Sequence, residues 1–384
     1  MTDKNLVESA FELTTIVREN LAAGEERARL VPEVVSALGG AGFFRLYAPR
    51  EVGGLEVTPA TAIAVMEIIA SADPAAGWYM ANSIPACLIA ASLQERERAE
   101  LFSEPNSYFG NSAAAMGRAI VVDGGYELSG EWPVVTGCED ATWCALAGLV
   151  MEGEAPRMVG PYPDGRLFLV RTNDAIISQT WKNAAAMRGS GSNALSVKNL
   201  FVSESFSYSP MKPRVIDRPL YRLPFSIVFG SCPPAIVLGV LRSALDSAAD
   251  ALSTKVSSIS GRVLREQAPV QELIAVCIGA LRAARAGLMV ASAAIWDCAS
   301  SGGDVSARLR AELHASAFHA CETGREMVSR LYTRGTRAAF MQGNPVERAL
   351  RNIHAMAFTL ENGRNLHHDA GRVLMGGQPT EPGF

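Results

Sequence analysis

The chain has 384 residues, 48% of them apolar and 19% charged, with a formal net charge of −4. The length allows two or three domains around a substantial core, and a mildly acidic balance argues against nucleic acid as a partner. The N-terminus Met1-Thr-Asp-Lys-Asn5 carries no apolar signal core, and the long apolar run 275–294 is interrupted by Gly279, Arg282 and Arg285; the expectation is a cytoplasmic homo-oligomer without a membrane span.

Residues 5–45 predict two helices, with Leu6, Phe11, Leu13, Val17 and Leu21 on one face of the first. Pro32 suits the first turn of the second, and Gly39-Gly40 ends it. Thr58 followed by Pro59 predicts the capped start of a third helix, which Asp73-Pro74 stops. Segments 75–91 and 94–102 complete an all-helical N-terminal domain, residues 1–106.

At Ser107 the period changes. The runs 119–122, 126–128, 142–149, 166–170 and 194–202 are short and bounded by Gly, Asp and Pro. They predict antiparallel strands in a small barrel or sandwich over residues 107–218, with Asp123-Gly124-Gly125 as a hairpin turn.

From 219 to 384 the helical period returns, with long helices over 229–252, 266–300 and 304–332. In the third, Val305, Leu309, Leu313, Ala317, Cys321, Gly324, Val328 and Leu331 form a stripe stepping by three or four, the buried face of a bundle helix. Asn344-Pro-Val-Glu347 predicts a capping box opening a last helix to about Leu374. The fold class is therefore mostly α with a β insert, ending in a four-helix bundle, and the crevice where the layers meet is the expected site.

Several patterns exclude chemistry. The seven cysteines are scattered without a CxxC pair and read as small buried hydrophobes. All five histidines lie between His314 and His368, but no ExxH occurs and His314 and His319 are wrongly spaced for a shared metal, so no metal site is expected. Of the neighbours His367 and His368, the helical period lets one face a site while the other faces solvent. Gly189-Ser-Gly-Ser192 has the composition of a phosphate loop without its spacing, and no GxSxG occurs. Trp132, Trp143 and Trp181 gather around Thr136 and Ser190, giving a flat apolar wall with a few hydroxyl and backbone donors; that suits a planar heteroaromatic ring such as a flavin.

The domain order and three motifs resemble the acyl-CoA dehydrogenase fold over essentially the whole chain. Pro49-Arg-Glu-Val-Gly-Gly54 resembles its N-terminal loop. Gly130-Glu-Trp-Pro-Val-Val-Thr-Gly137 with Ala141-Thr-Trp143 resembles the strand beside the flavin, and Trp181 with Met187-Arg-Gly-Ser-Gly-Ser-Asn193 the second flavin-side loop. Within that fold, Asp73-Pro-Ala-Ala-Gly-Trp78, Met187-Arg-Gly-Ser-Gly-Ser192, Leu331-Tyr-Thr-Arg-Gly-Thr336 and Arg351-Asn-Ile-His-Ala355 resemble the two-component flavin-dependent monooxygenases.

The resemblance implies an oxidoreductase that takes reduced flavin, FADH2 ahead of FMNH2, from a separate NAD(P)H-dependent reductase. It implies O2 as co-substrate, a flavin hydroperoxide, transfer of one oxygen atom to an indole-type or phenol-type ring, and a homotetramer. By the same resemblance Trp132, Val135, Thr136, Gly137, Trp181, Arg188, Ser190 and Ser192 border the flavin. Trp78, Asn82 and Thr359 line the substrate pocket, and Thr136, His354 and Thr359 hold the catalytic positions. Thr359 stands where related phenol hydroxylases carry a histidine, which tilts the expectation toward an indole, already electron-rich and needing no base. An acyl-CoA dehydrogenase is the alternative. It needs a carboxylate base, and the tail Met375-Gly-Gly-Gln-Pro379 offers none, leaving Glu361 as a substitute. A non-catalytic helical assembly protein is a third reading.

Overall fold

Asp73 marks both the end of one helix and the start of the next. Its side chain accepts the Ala75 N–H at 2.8 Å, and Pro74 fills the first helical position, where a missing N–H costs nothing. The computed structural model in which this is seen describes residues 3–209, 214–258, 260–361, 363–381 and 384, with 357–361 described by backbone alone. The helices around this corner are α1 (Asp3–Arg27), α2 (Pro32–Gly40), α3 (Pro59–Ala72), α4 (Pro74–Ala90) and α5 (Glu95–Leu101). Thr58 caps α3 as its sequence predicts, accepting the Thr61 N–H at 3.2 Å.

On α1 the buried stripe is Leu6, Ala10, Val17 and Gly24. Phe11, expected on that face, is 60% exposed, because it stands one residue beyond Ala10 and so a large rotation off the stripe.

The β region comprises β1 (Tyr108–Val122), β2 (Gly125–Val135), β3 (Ala141–Glu152), β4 (Ala155–Pro156), β5 (Met158–Val159), β6 (Tyr162–Pro163), β7 (Gly165–Arg171), β8 (Ile176–Ser178), β9 (Asn193–Ser203) and β10 (Ser207–Tyr208). The main sheet runs β10-β7-β3-β1-β2-β9-β8. The expectation of an all-antiparallel layer is corrected at its centre, where β1 and β3 pair parallel. The connection from β1 to β3 passes through the hairpin strand β2, so β3 returns on the other side of β1 in the same direction. That hairpin closes tightly at Asp123-Gly124, with Val122 opposite Gly125 and Gly124 at φ +73°.

The helical half holds α6 (Pro219–Arg222), α7 (Phe225–Gly230), α8 (Cys232–Thr254), α9 (Ala268–Ser300), α10 (Ala307–Arg334), α11 (Pro345–Glu361) and α12 (Arg364–Leu374). The bundle is built from α8, α9, α10 and α11, with α12 packed on α10. Two single helices of the sequence reading are each divided: Ser231 separates α7 from α8, where Pro233 and Pro234 begin a new first turn, and α12 starts anew at Arg364. The capping box is partial: Asn344 accepts the Val346 N–H at 2.9 Å, while Glu347 reaches the N–H of Gly343 at 3.3 Å in place of that of Asn344.

Among the described residues two helical stretches, 225–254 and Ala268–Ser300, are long and apolar enough by length and composition to cross a membrane. The first is 72% buried over its apolar window, the second only 28%. Arg242 of α8 and Arg285 of α9 both pair with the buried Glu67 of α3, each at 2.6 Å.

Candidate active site

Pro133 lacks the N–H that a strand must donate, and the register of β2 against β9 shifts between Trp132 and Val135. This irregularity decides which side chains face the crevice. Pro133, Val134 and Thr136 line a cavity of about 800 Å³ between the sheet and the helices. Trp132 and Val135 point the other way and are fully buried. The Trp132 indole crosses over Gly117 of β1, where a Cβ would lie 2.8 Å from the ring, and donates to the Ala147 carbonyl of β3 at 2.8 Å. The expected place of Trp132 beside the cofactor is thus corrected: parity on the strand puts it in the core. Trp143 is also buried in the sheet, stacked on Phe206 at 5.1 Å.

Three buried hydroxyls meet on the sheet side of the cavity. Thr136 Oγ1 lies 3.0 Å from Ser192 Oγ, which lies 2.8 Å from Ser190 Oγ, and all three residues line the cavity. Two hydrogen bonds among three hydroxyls use two hydrogens, so one remains to donate outward. Gly137 holds this corner: its N–H faces the carbonyls of Ser190 and Gly191 at 3.0 and 3.1 Å, and its φ is +60°. A Cβ there would stand 2.6 Å from both Tyr79 and Tyr108. Those rings stack at 4.5 Å, and the Tyr108 hydroxyl donates to the Thr136 carbonyl at 2.7 Å.

Trp181 also lines the cavity. Its backbone N–H donates to Asn193 Oδ1 at 2.9 Å and its indole N–H to the Met187 carbonyl at 3.0 Å. Arg188 is half-buried and outside the lining. The fit to a flavin ring is chemical: a polar edge would meet the hydroxyls of Thr136, Ser190 and Ser192, and a flat face would meet Trp181 and Pro133.

On the helical side Trp78 stands edge-on to Phe229 at 6.1 Å, and Phe229 stacks on Phe225 at 5.3 Å. Asn82 is buried and donates to the Trp78 carbonyl at 2.8 Å, so one turn of α4 presents both lining residues. No aspartate, glutamate, lysine or arginine lines the cavity among the described residues.

His354, expected at a catalytic position, is exposed on α11, and its neighbours Ala355 and Met356 line the cavity in its place. Thr359 and Glu361 lie on α11 with side chains outside the described residues. The imidazoles in the lining are His314 of α10 and His367 of α12, and His368 is exposed. Burial pushes the His314 imidazole down to about 4, with Arg310 and His367 adding to the effect. Burial also lowers His367, which lies flat on Phe318 at 3.8 Å. His314 was not expected; its signal in the sequence is its place beside Leu313 on the buried stripe of α10. Cys138 and Cys144 are held as thiols, since burial pushes the Cys138 thiol up to about 12 and that of Cys144 up to about 11.

Two family models match the chain: Acyl-CoA dehydrogenase, N-terminal domain, over residues 6–102, and Acyl-CoA dehydrogenase, C-terminal domain, over residues 231–359. Indole-3-acetate monooxygenase of Pseudomonas putida is 27% identical over 380 residues, covering 98% of this chain and 95% of that protein. The flavin-dependent monooxygenase oxygenase subunit HsaA of Mycobacterium tuberculosis strain H37Rv is 27% identical over 351 residues, 88% of this chain and 87% of its own. The HsaA crystal structure superposes with a TM-score of 0.88 at 24% identity, covering 99% of this chain and all (100%) of that one. XiaF from Streptomyces sp., in complex with FADH2 and glycerol, gives 0.87 at 22% identity, covering 100% of this chain and 98% of that one. At these identities the superpositions establish the shared fold.

Proposed function

We propose that this chain, which belongs to the acyl-CoA dehydrogenase family, is the oxygenase component of a two-component flavin-dependent monooxygenase acting on an aromatic ring. One observation carries the reading: a buried trio of hydroxyls faces an aromatic-walled cavity lined, among the described residues, by no carboxylate. A dehydrogenase acting on a thioester must remove the α-proton, and the described lining offers no acid residue for that task. The flavin-dependent monooxygenases among its relatives point the same way.

Reduced flavin, FADH2 ahead of FMNH2, supplies the electrons that activate O2 when bound, and a separate NAD(P)H-dependent reductase supplies the flavin. Thr136, Ser192 and Ser190 hold the polar edge of the ring, and the chain's one outward hydroxyl hydrogen goes to that edge. Trp181 and Pro133 set its plane. Trp78, Phe225 and Phe229 hold the aromatic substrate and exclude water, which would otherwise divert the reaction to hydrogen peroxide. Arg188, two residues before Ser190 and outside the lining, would be the cation to hold a flavin phosphate. The exposed apolar residues Val276, Ile278 and Val290 of α9 support a homotetramer with α9 at its interface.

The test mixes protein and reduced FAD or FMN anaerobically, then adds oxygenated buffer in a stopped-flow cell. An absorbance transient between the reduced and oxidised spectra, outlasting the reoxidation of free flavin, is expected. Reoxidation as fast as free flavin, or bleaching of oxidised flavin by an acyl thioester, would overturn the reading.

A further inference from the structure

Among the described residues, three buried polar atoms on the helical side of the cavity have no hydrogen-bond partner: Ser226 Oγ, His314 Nε2 and His367 Nδ1. They come from α7, α10 and α12, so three separate helices leave a polar atom unpaired around one chamber. Such atoms cost free energy unless something in the chamber pairs with them. The rest of the wall there is apolar, and Phe318 and Phe384 pin the two rings, Phe318 flat against His367 and Phe384 5.3 Å from His314. His314 is 7% exposed, so its orientation is fixed by packing.

The cluster is polar but uncharged. Burial lowers both imidazoles toward the neutral form, and two cations act on them from outside the lining: Arg310, which donates to the Phe384 carbonyl at 2.7 Å, and Arg364, over the Phe318 ring at 5.8 Å. A neutral imidazole presents one donor and one acceptor, and a hydroxyl presents both. A carboxylate brought to this wall would be desolvated with no cation in the described lining to meet it.

We propose that this wall selects an uncharged aromatic substrate bearing a hydroxyl or ring N–H, held by Ser226, His314 and His367, and rejects aromatic carboxylates. The assignment rests on the cavity being the aromatic chamber of a monooxygenase. Specificity then comes from the pairing of three otherwise unsatisfied atoms, a requirement that a pure hydrocarbon fails and an anion violates.

Titration calorimetry on the flavin-free full chain with 2-naphthol, naphthalene and 2-naphthoate tests this without turnover. The wild type is expected to bind 2-naphthol roughly tenfold tighter than either other compound, as one or two net hydrogen bonds would give. His314→Phe erases that preference, His314→Gln, which keeps a neutral donor and acceptor, retains part of it, and His367→Phe weakens it independently. Equal binding of 2-naphthoate and 2-naphthol, a preference unchanged in both phenylalanine variants, or no binding of any of the three would overturn the proposal. The oxygen-reaction transient measured on His314→Phe without aromatic ligand separates the two claims. Its presence with a lost preference leaves the monooxygenase reading standing, and its absence already in the wild type removes that reading alone.

Discussion

Asn352 Oδ1 accepts the backbone N–H of Met187 at 2.8 Å, joining α11 to the loop that carries Ser190 and Ser192 across 165 residues of chain. Met187 is buried and sits at φ +50°, a region that a non-glycine residue occupies only when its surroundings hold it there. Arg351, beside Asn352, pairs with Glu25 of α1 and with Glu347 at 2.9 Å, and Arg348 pairs with Glu25 at 3.2 Å. One stretch of α11 therefore holds the loop that carries Ser190 and Ser192 and is itself tied to α1.

Asn352→Leu leaves the Met187 N–H unpaired, at a cost of about 1–3 kcal/mol. We expect reduced-flavin affinity to fall about tenfold, since roughly 1.4 kcal/mol corresponds to that factor, with a lower melting temperature. Asn352→Asp keeps the acceptor and should retain most of the affinity. Fluorescence titration with flavin measures both, and an unchanged dissociation constant in Asn352→Leu would remove the clamp from the account of the site.

Thr136→Val removes the first hydroxyl of the trio without changing its volume much. Ser192 then keeps its bond to Ser190 and the pair still has one hydrogen to donate, but the hydroxyl that Thr136 presents to the cavity is replaced by a methyl group. A rise in hydrogen peroxide per O2 consumed, with substrate binding unchanged, is the expected outcome. Ser192→Ala breaks both internal bonds and should uncouple more strongly, because Thr136 and Ser190 are 3.0 and 2.8 Å from the same oxygen. Peroxide and product assayed together decide the order.

Much of this organisation is legible in the chain because its signals are local. Thr58 and Asp73 cap helices as their sequences indicate, and the stripe expected from Val305 to Leu331 is a buried bundle face from Leu313 on, with Val305 and Leu309 half-buried at its start. The motif around Thr136 and Ser190 lies on adjoining segments whose contacts the resemblance supplied. What the sequence hides is parity and convergence. An alternating reading of β2 cannot place Trp132 until the irregularity at Pro133 is known, and nothing near Trp132 announces that its ring crosses to β3. His354 looked suited to the site by its motif, yet its helix turns it outward while Ala355 and Met356 turn in. His314 and His367 meet only through the packing of α12 on α10, a long-range fact that no spacing rule for metal ligands could detect.

Glu67 is 2% exposed and bridges Arg242 and Arg285, whose side chains are 41% and 37% exposed. The asymmetry predicts asymmetric costs. Replacing both arginines with methionine strands a buried carboxylate and should cost about 3–5 kcal/mol. Glu67→Leu frees two arginines that can turn to water along their apolar stems, so it should cost less, and the triple variant should recover much of what the double arginine variant loses. Urea unfolding of the set measures this, and equal losses for the carboxylate and arginine variants would contradict it.

Asp73 ties stability to pH. Burial raises its carboxyl to about 7; the Ala75 N–H and the charges of Arg348 and Arg351 work against the rise, and Glu25 adds to it. With an unfolded value near 3.8, the folded chain holds a proton between about pH 4 and pH 7 that the unfolded chain has released. Its stabilising contribution is therefore complete at low pH and is lost as pH climbs through about 7, the reverse of a salt-bridged carboxylate. Asp73→Asn keeps an oxygen to cap α4 and never ionises. Relative to the wild type it should gain on the order of 2 kcal/mol between pH 5 and pH 8, a discounted fraction of the full linkage at about 1.4 kcal/mol per pH unit. Because every other titrating group is shared, the difference between the two urea midpoints isolates this carboxyl. Parallel pH profiles for the two proteins would mean that Asp73 is ionised when folded, held by the α4 N-terminus and the Arg348–Arg351 pair.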